Sequence, residues 1–94
     1  MSLIWLPRAQ RELRHVCSYV ADDDPIAAQL ITQRLVTAVA HLSDFPHAGL
    51  LGRVSGTREL VVGNTPYIVP YQIDGEDIIV LAVILSRRRW PEHL

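Results

Sequence analysis

The sequence predicts an α+β fold, a helical hairpin on one face of a small, mostly antiparallel sheet, in the order β-α-α-β-β-β. Three observations carry this prediction. Residues 7–43 repeat apolar side chains at helical spacing, with a short acidic break in the middle. Residues 57–85 read as three strand candidates separated by turn signals. The last candidate, residues 78–85, is eight consecutive apolar residues, too short to span a bilayer and mostly β-branched, as in a strand buried on both faces.

Taken in order, residues 2–6 form a short strand that Pro7 ends. Pro7 suits the first position of a helix, where its missing N–H would have no partner anyway. Ala9, Leu13, Val16 and Val20 line one face of that helix, and Arg8, Arg11, Glu12 and Arg14 the other. Asp22-Asp23-Asp24-Pro25 ends it and starts the second helix, with Asp24 as N-cap. The second helix runs to about Ser43 on a stripe of Ala28, Ile31, Leu35, Ala38 or Val39, and Leu42. A link this short folds the pair into a hairpin.

Residues 46–56 are a loop marked by Pro46, Gly49, Gly52 and Gly56. Residues 57–62 are a strand placed at the far edge of the sheet. Gly63-Asn64-Thr65 turns into a second strand over 66–73, where Pro70 cannot donate to a ladder and calls for a bulge or an edge-facing position. Asp74-Gly75 is a tight-hairpin signal leading into the central strand, 78–85, with the N-terminal strand at its side. Strand parity puts Ile78, Val80, Ala82 and Ile84 on one face and Ile79, Leu81, Val83 and Leu85 on the other.

A chain of 94 residues is one domain with one core. A hydrophobic fraction of 49% and a net charge of -1 describe a globular protein and argue against a nucleic-acid binder working by bulk charge. The N-terminus lacks the charged and apolar regions of a signal peptide, and Cys17 has no partner for an internal disulfide, so a cytoplasmic address is expected. Membrane association is not expected. His15, His41, His47 and His93 are scattered, so neither a metal site nor a cofactor is expected. Cys17 reads as a core thiol.

All nine basic residues are arginine, and three of them, Arg87, Arg88 and Arg89, precede Trp90 at the end of the buried strand. Guanidinium groups beside an aromatic suit an anionic partner, through bidentate contacts and stacking. Arg58-Glu59 opens the 57–62 strand and is the other polar pair that could contribute. One hairpin covers one sheet face only. The second apolar face is covered either by a partner or by the 46–56 loop and the tail after Trp90.

The order of elements resembles that of the RelE/ParE family of bacterial toxins. So do Ala27-Ala28, Phe45-Pro46 with Gly52, Gly56-Thr57-Arg58-Glu59-Leu60, Tyr67-Ile68-Val69-Pro70-Tyr71 and Arg88-Arg89-Trp90-Pro91. The resemblance implies the toxin of a type II toxin–antitoxin module, neutralised by a small ParD- or RelB-like antitoxin. On this reading the antitoxin covers Ile68, Val80, Ala82 and Ile84. RelE-like members cut mRNA on the ribosome without a metal; ParE-like members poison DNA gyrase. Here Ile68 stands where RelE-like members tend to carry an arginine, Leu85 where many have a histidine, and no tyrosine closes the chain. A nuclease would be left with Arg58 and Arg88 on the phosphate and Glu59 or His93 to move protons. The ParE-like reading is therefore favoured, with Arg87, Arg88, Arg89 and Trp90 binding the target. The alternatives are the nuclease and an inactive relative acting only through protein contacts.

Overall fold

The computed structural model describes residues 2–87 and 90. Its elements are β1 (Ser2–Trp5), α1 (Pro7–Ala21), α2 (Pro25–Ala40), β2 (Leu50–Leu51), β3 (Arg58–Val61), β4 (Tyr67–Asp74), β5 (Asp77–Val80) and β6 (Ile84–Leu85). A 3-10 turn, His41–Ser43, continues α2. Pro7 occupies the first turn of α1, and the Asp24 carboxylate accepts from the amides of Ile26 and Ala27, both at 3.1 Å. These two signals set the hairpin, and α1 and α2 pack on each other.

The sheet runs β1-β5-β4-β3-β2, with β6 pairing the other end of β4. β1 is parallel to β5, and every other pairing is antiparallel. The helices bury Ala9, Val16, Leu35, Val39 and Leu42 against Tyr67, Val69, Tyr71, Ile78, Val80 and Val83. This is the helical stripe read from the sequence, closed on one face of the sheet. β5 lies between β1 and β4, so the apolar strand is internal there, as its composition demands.

Two expectations need correction. The 57–62 strand is not the far edge, because Leu50 and Leu51 of the loop pair outside it, opposite Glu59 and Arg58. Gly52 makes this possible: its N–H donates to the Thr57 carbonyl at 2.8 Å, and an added Cβ would lie 2.9 Å from that same oxygen. The loop can close this tightly only without a side chain there.

Nor is the apolar run one strand. Tyr71 pairs with Val80 and Ile68 with Ile84, so Val69 and Pro70 of β4 face three residues, 81–83. Pro70 has no N–H to give, though its carbonyl still accepts from the Leu81 amide at 3.0 Å. The extra residue is a bulge, and the Val83 amide it frees donates to the Glu12 carboxylate of α1 at 3.1 Å. Because the register moves by one residue, the strand's two ends no longer share a face. Val80 lies on the helix side with Tyr71, and Ile84 lies on the opposite side with Ile68.

Candidate functional site

Arg58 and Glu59 are neighbours on β3, so their side chains leave opposite faces of the sheet. On the helix side, Arg58 pairs across from Tyr71, and both reach the 46–56 loop. The Tyr71 hydroxyl donates to the Pro46 carbonyl at 2.7 Å and accepts from the Gly49 amide at 2.9 Å. The Arg58 guanidinium donates to the Gly49 carbonyl at 2.8 Å. Gly49 is thus held through both its amide and its carbonyl. A Cβ there would come within 2.7 Å of the tyrosine ring and hydroxyl, so no larger residue fits without a shift.

Glu59 sits on the opposite side, across from Pro70, and is only 8% exposed. One carboxylate oxygen accepts from the Arg53 backbone amide at 2.7 Å and from Arg53 Nε at 3.1 Å. The other accepts from Arg53 Nη2 at 3.2 Å. This is the bidentate geometry that arginine forms and lysine does not. The guanidinium carbon lies 3.8 Å from the centroid of the Trp90 ring, well inside cation–π range. The Trp90 indole nitrogen is shielded from solvent and has no acceptor among the described residues. Arg53 therefore contacts Glu59 and Trp90 at once.

The predicted site residues are therefore distributed as follows. Trp90 lies on the face turned from the helices, and Arg87 is exposed just beyond β6. Arg88, Arg89 and His93 lie outside the described residues. Arg58 and Glu59 do not converge: Arg58 fixes the loop on one face, and Glu59 is held by Arg53 on the other. Ile68, Val80, Ala82 and Ile84 are all interior, at 8%, 0%, 0% and 2% exposed. Val80 belongs to the helix-side core, so the four do not form one surface, and the bulge is the reason. Arg53, which meets the aromatic, drew no attention in the sequence. It is an isolated residue in a glycine-marked loop, and only its strand partner three-dimensionally gives it a role.

Cys17 is half-buried and lines a groove between α1 and α2 with Ala28 and Thr32, rather than the core. The described residues contain no grouping of three or more His, Cys, Asp or Glu able to hold a metal ion. Exposed apolar side chains occur on α2, at Ile26, Leu30 and Val36, and at the β2–β3 edge, at Leu50, Leu51 and Val61. Burial, with a smaller contribution from Tyr19, raises the Tyr67 hydroxyl above the usual tyrosine pKa of 10.0. Among the described residues, no helix is long and apolar enough to cross a membrane.

A family model described as "ParE toxin of type II toxin-antitoxin system, parDE" matches residues 3–90. The Y4kP protein of Sinorhizobium fredii is 41% identical over 90 residues, which span 96% of this chain and 93% of that protein. Toxin RelE2 of Caulobacter vibrioides is 35% identical over 71 residues, 76% of this chain and 78% of the relative. A solved structure described as "Chromosomal ParDE TA system from P. aeruginosa" superposes with a TM-score of 0.78 at 29% identity, over 88% of this chain and 92% of that one.

Proposed function

This chain belongs to the ParE toxin family of type II toxin–antitoxin systems, and on that footing we propose that it arrests growth by poisoning DNA gyrase when free of a ParD-like antitoxin. Arg87, Arg88, Arg89 and Trp90 form the target-binding segment. The observation that favours gyrase over RNA cleavage is the state of Glu59. Both its oxygens are engaged by Arg53, and Arg58 leaves the other face of the sheet. Positioned proton transfer contributes about 10²–10⁴-fold to such a cleavage, and it needs an acid or base free to reach the ribose and the leaving oxygen. A carboxylate locked in a bidentate ion pair does not meet that need. A gyrase poison needs only a binding surface, which arginines and a tryptophan suit well.

The antitoxin reading rests on the family and on apolar area left on the surface. α2 carries a single charged residue, Arg34, and exposes Ile26, Leu30 and Val36; Leu50, Leu51 and Val61 add a second exposed set at the sheet edge. A partner that wraps the chain in an extended or helical form would cover such scattered patches. These residues replace Ile68, Val80, Ala82 and Ile84 as the proposed contacts.

Induction of the chain without its antitoxin, read by gyrase-linked DNA breaks and by ribosome-mapped transcript ends, tests the mechanism. The gyrase reading expects trapped DNA breaks and an SOS response, with transcripts intact. Transcripts cut within codons, together with loss of toxicity in His93→Ala, would establish the nuclease instead. A chain that accumulates without harm to the host would point to the inactive interaction module. The flanking DNA should encode a short protein with a DNA-binding N-terminal part and an acidic, apolar tail.

A further inference from the structure

We propose that Arg53 and Glu59 are positioning residues, a latch that fixes the Trp90 indole at the end of the arginine-rich segment. The inference rests on the reading that this segment carries the toxic activity, but it does not depend on gyrase being the target.

Each part of the latch is fixed from below. Glu59 is placed by the β3–β4 ladder opposite Pro70 and is nearly buried. Arg53 is placed through both its backbone and its side chain, since the amide and the guanidinium bind the same carboxylate. The loop preceding it is held by the Gly52–Thr57 bond, and the Thr57 hydroxyl donates to the Val54 carbonyl at 2.6 Å. A guanidinium held by a two-point fork has a fixed plane, and its carbon stands 3.8 Å from the centroid of the indole ring.

The near end of the segment is fixed as well. The Ser86 amide donates to the Pro66 carbonyl at 2.9 Å, directly after β6. Arg87, Arg88 and Arg89 lie between Ser86 and Trp90 in the chain. An indole held in place before binding loses less entropy when Trp90 engages a partner, whereas a free side chain would lose it in full. An ordinary surface ion pair would have no such consequence. The bidentate fork matters here because it presents a flat face to the aromatic, and lysine cannot substitute for it.

The test uses the full chain in a Trp5→Phe background, so that Trp90 is the single tryptophan, with acrylamide quenching, antitoxin binding and growth arrest on induction measured together. Arg53→Lys keeps the positive charge beside Glu59 and should leave the fold and antitoxin binding intact. It should nonetheless raise the quenching of Trp90 roughly twofold and weaken growth arrest about tenfold, the scale of losing a partly desolvated cation–π contact. Arg53→Ala and Glu59→Gln should do the same or more. Unchanged quenching in both Arg53 variants, with the fold intact, would overturn the latch. Raised quenching with undiminished arrest would overturn the positioning role. Failure of the gyrase reading would look different: arrest would persist in the unmutated chain without DNA breaks, and the latch variants would still weaken it.

Discussion

Tyr71→Phe removes the two hydrogen bonds through which Tyr71 ties the 46–56 loop to the core. Tyr71 is among the fully buried side chains, and its hydroxyl donates to the Pro46 carbonyl and accepts from the Gly49 amide. Phenylalanine keeps the ring's packing and removes both bonds. A net hydrogen bond is worth about 1 kcal/mol, and a buried donor left without an acceptor costs about 1–3 kcal/mol. Pro46 is half-buried, so its carbonyl can find water, while Gly49 is buried and its N–H cannot. The expected loss is therefore about 2–3 kcal/mol. For a domain of this size each kcal/mol lowers Tm by about 4–8 °C. Urea denaturation should show a lower midpoint with an unchanged m-value. Tyr67→Phe is the control, since no hydrogen bond to the Tyr67 hydroxyl occurs among the described residues, and it should cost less than about 0.5 kcal/mol. Because Arg58 holds the same glycine through its carbonyl, Tyr71→Phe and Arg58→Ala together should depart from additivity. Equal losses in Tyr71→Phe and Tyr67→Phe would refute the anchoring role.

Glu12→Ala should cost about 1–3 kcal/mol in chemical denaturation, because the Val83 amide at the bulge loses its acceptor; Glu12→Gln, whose amide oxygen still accepts, should cost clearly less. Asp24→Ala should cost about 1 kcal/mol by removing the cap on α2, and Asp24→Ser should recover most of it. Tyr67 has a folded-state pKa raised above its unfolded value, so its contribution to stability is complete below pH 10 and is lost as pH rises through the folded value. Thermal melts of the unmutated chain should therefore fall more steeply above pH 10 than those of Tyr67→Phe.

Much of the fold was legible in the sequence because it is written in local signals. Pro7 and Asp24-Pro25 mark helix starts through backbone chemistry that needs no tertiary partner. The stripe from Ala28 to Leu42 and the alternation from Tyr67 to Ile73 record which side faces the core. The Asp74-Gly75 turn follows from a positive φ, 60° at Gly75. Even Pro70 announced an irregular ladder, since a missing N–H is a property of the residue alone. The consequence of that irregularity was not legible. Whether the extra residue falls on β4 or on its neighbour depends on how the ladders on both sides of Pro70 come into register, and that choice sends Val80 and Ile84 to opposite faces. The pairing of Arg53 with Glu59, six residues apart across a glycine turn, and the seat of Trp90 upon it likewise have no periodicity to betray them. They exist because Gly52 lets the loop close on Thr57 and because Trp90 returns to Arg53. Sequence by itself determined the elements, the helix-side core and the concentration of arginine at the end of the last strand. Tertiary structure alone decided which face each end of that strand presents and what holds Trp90, because both depend on register and on contacts between residues distant in the chain.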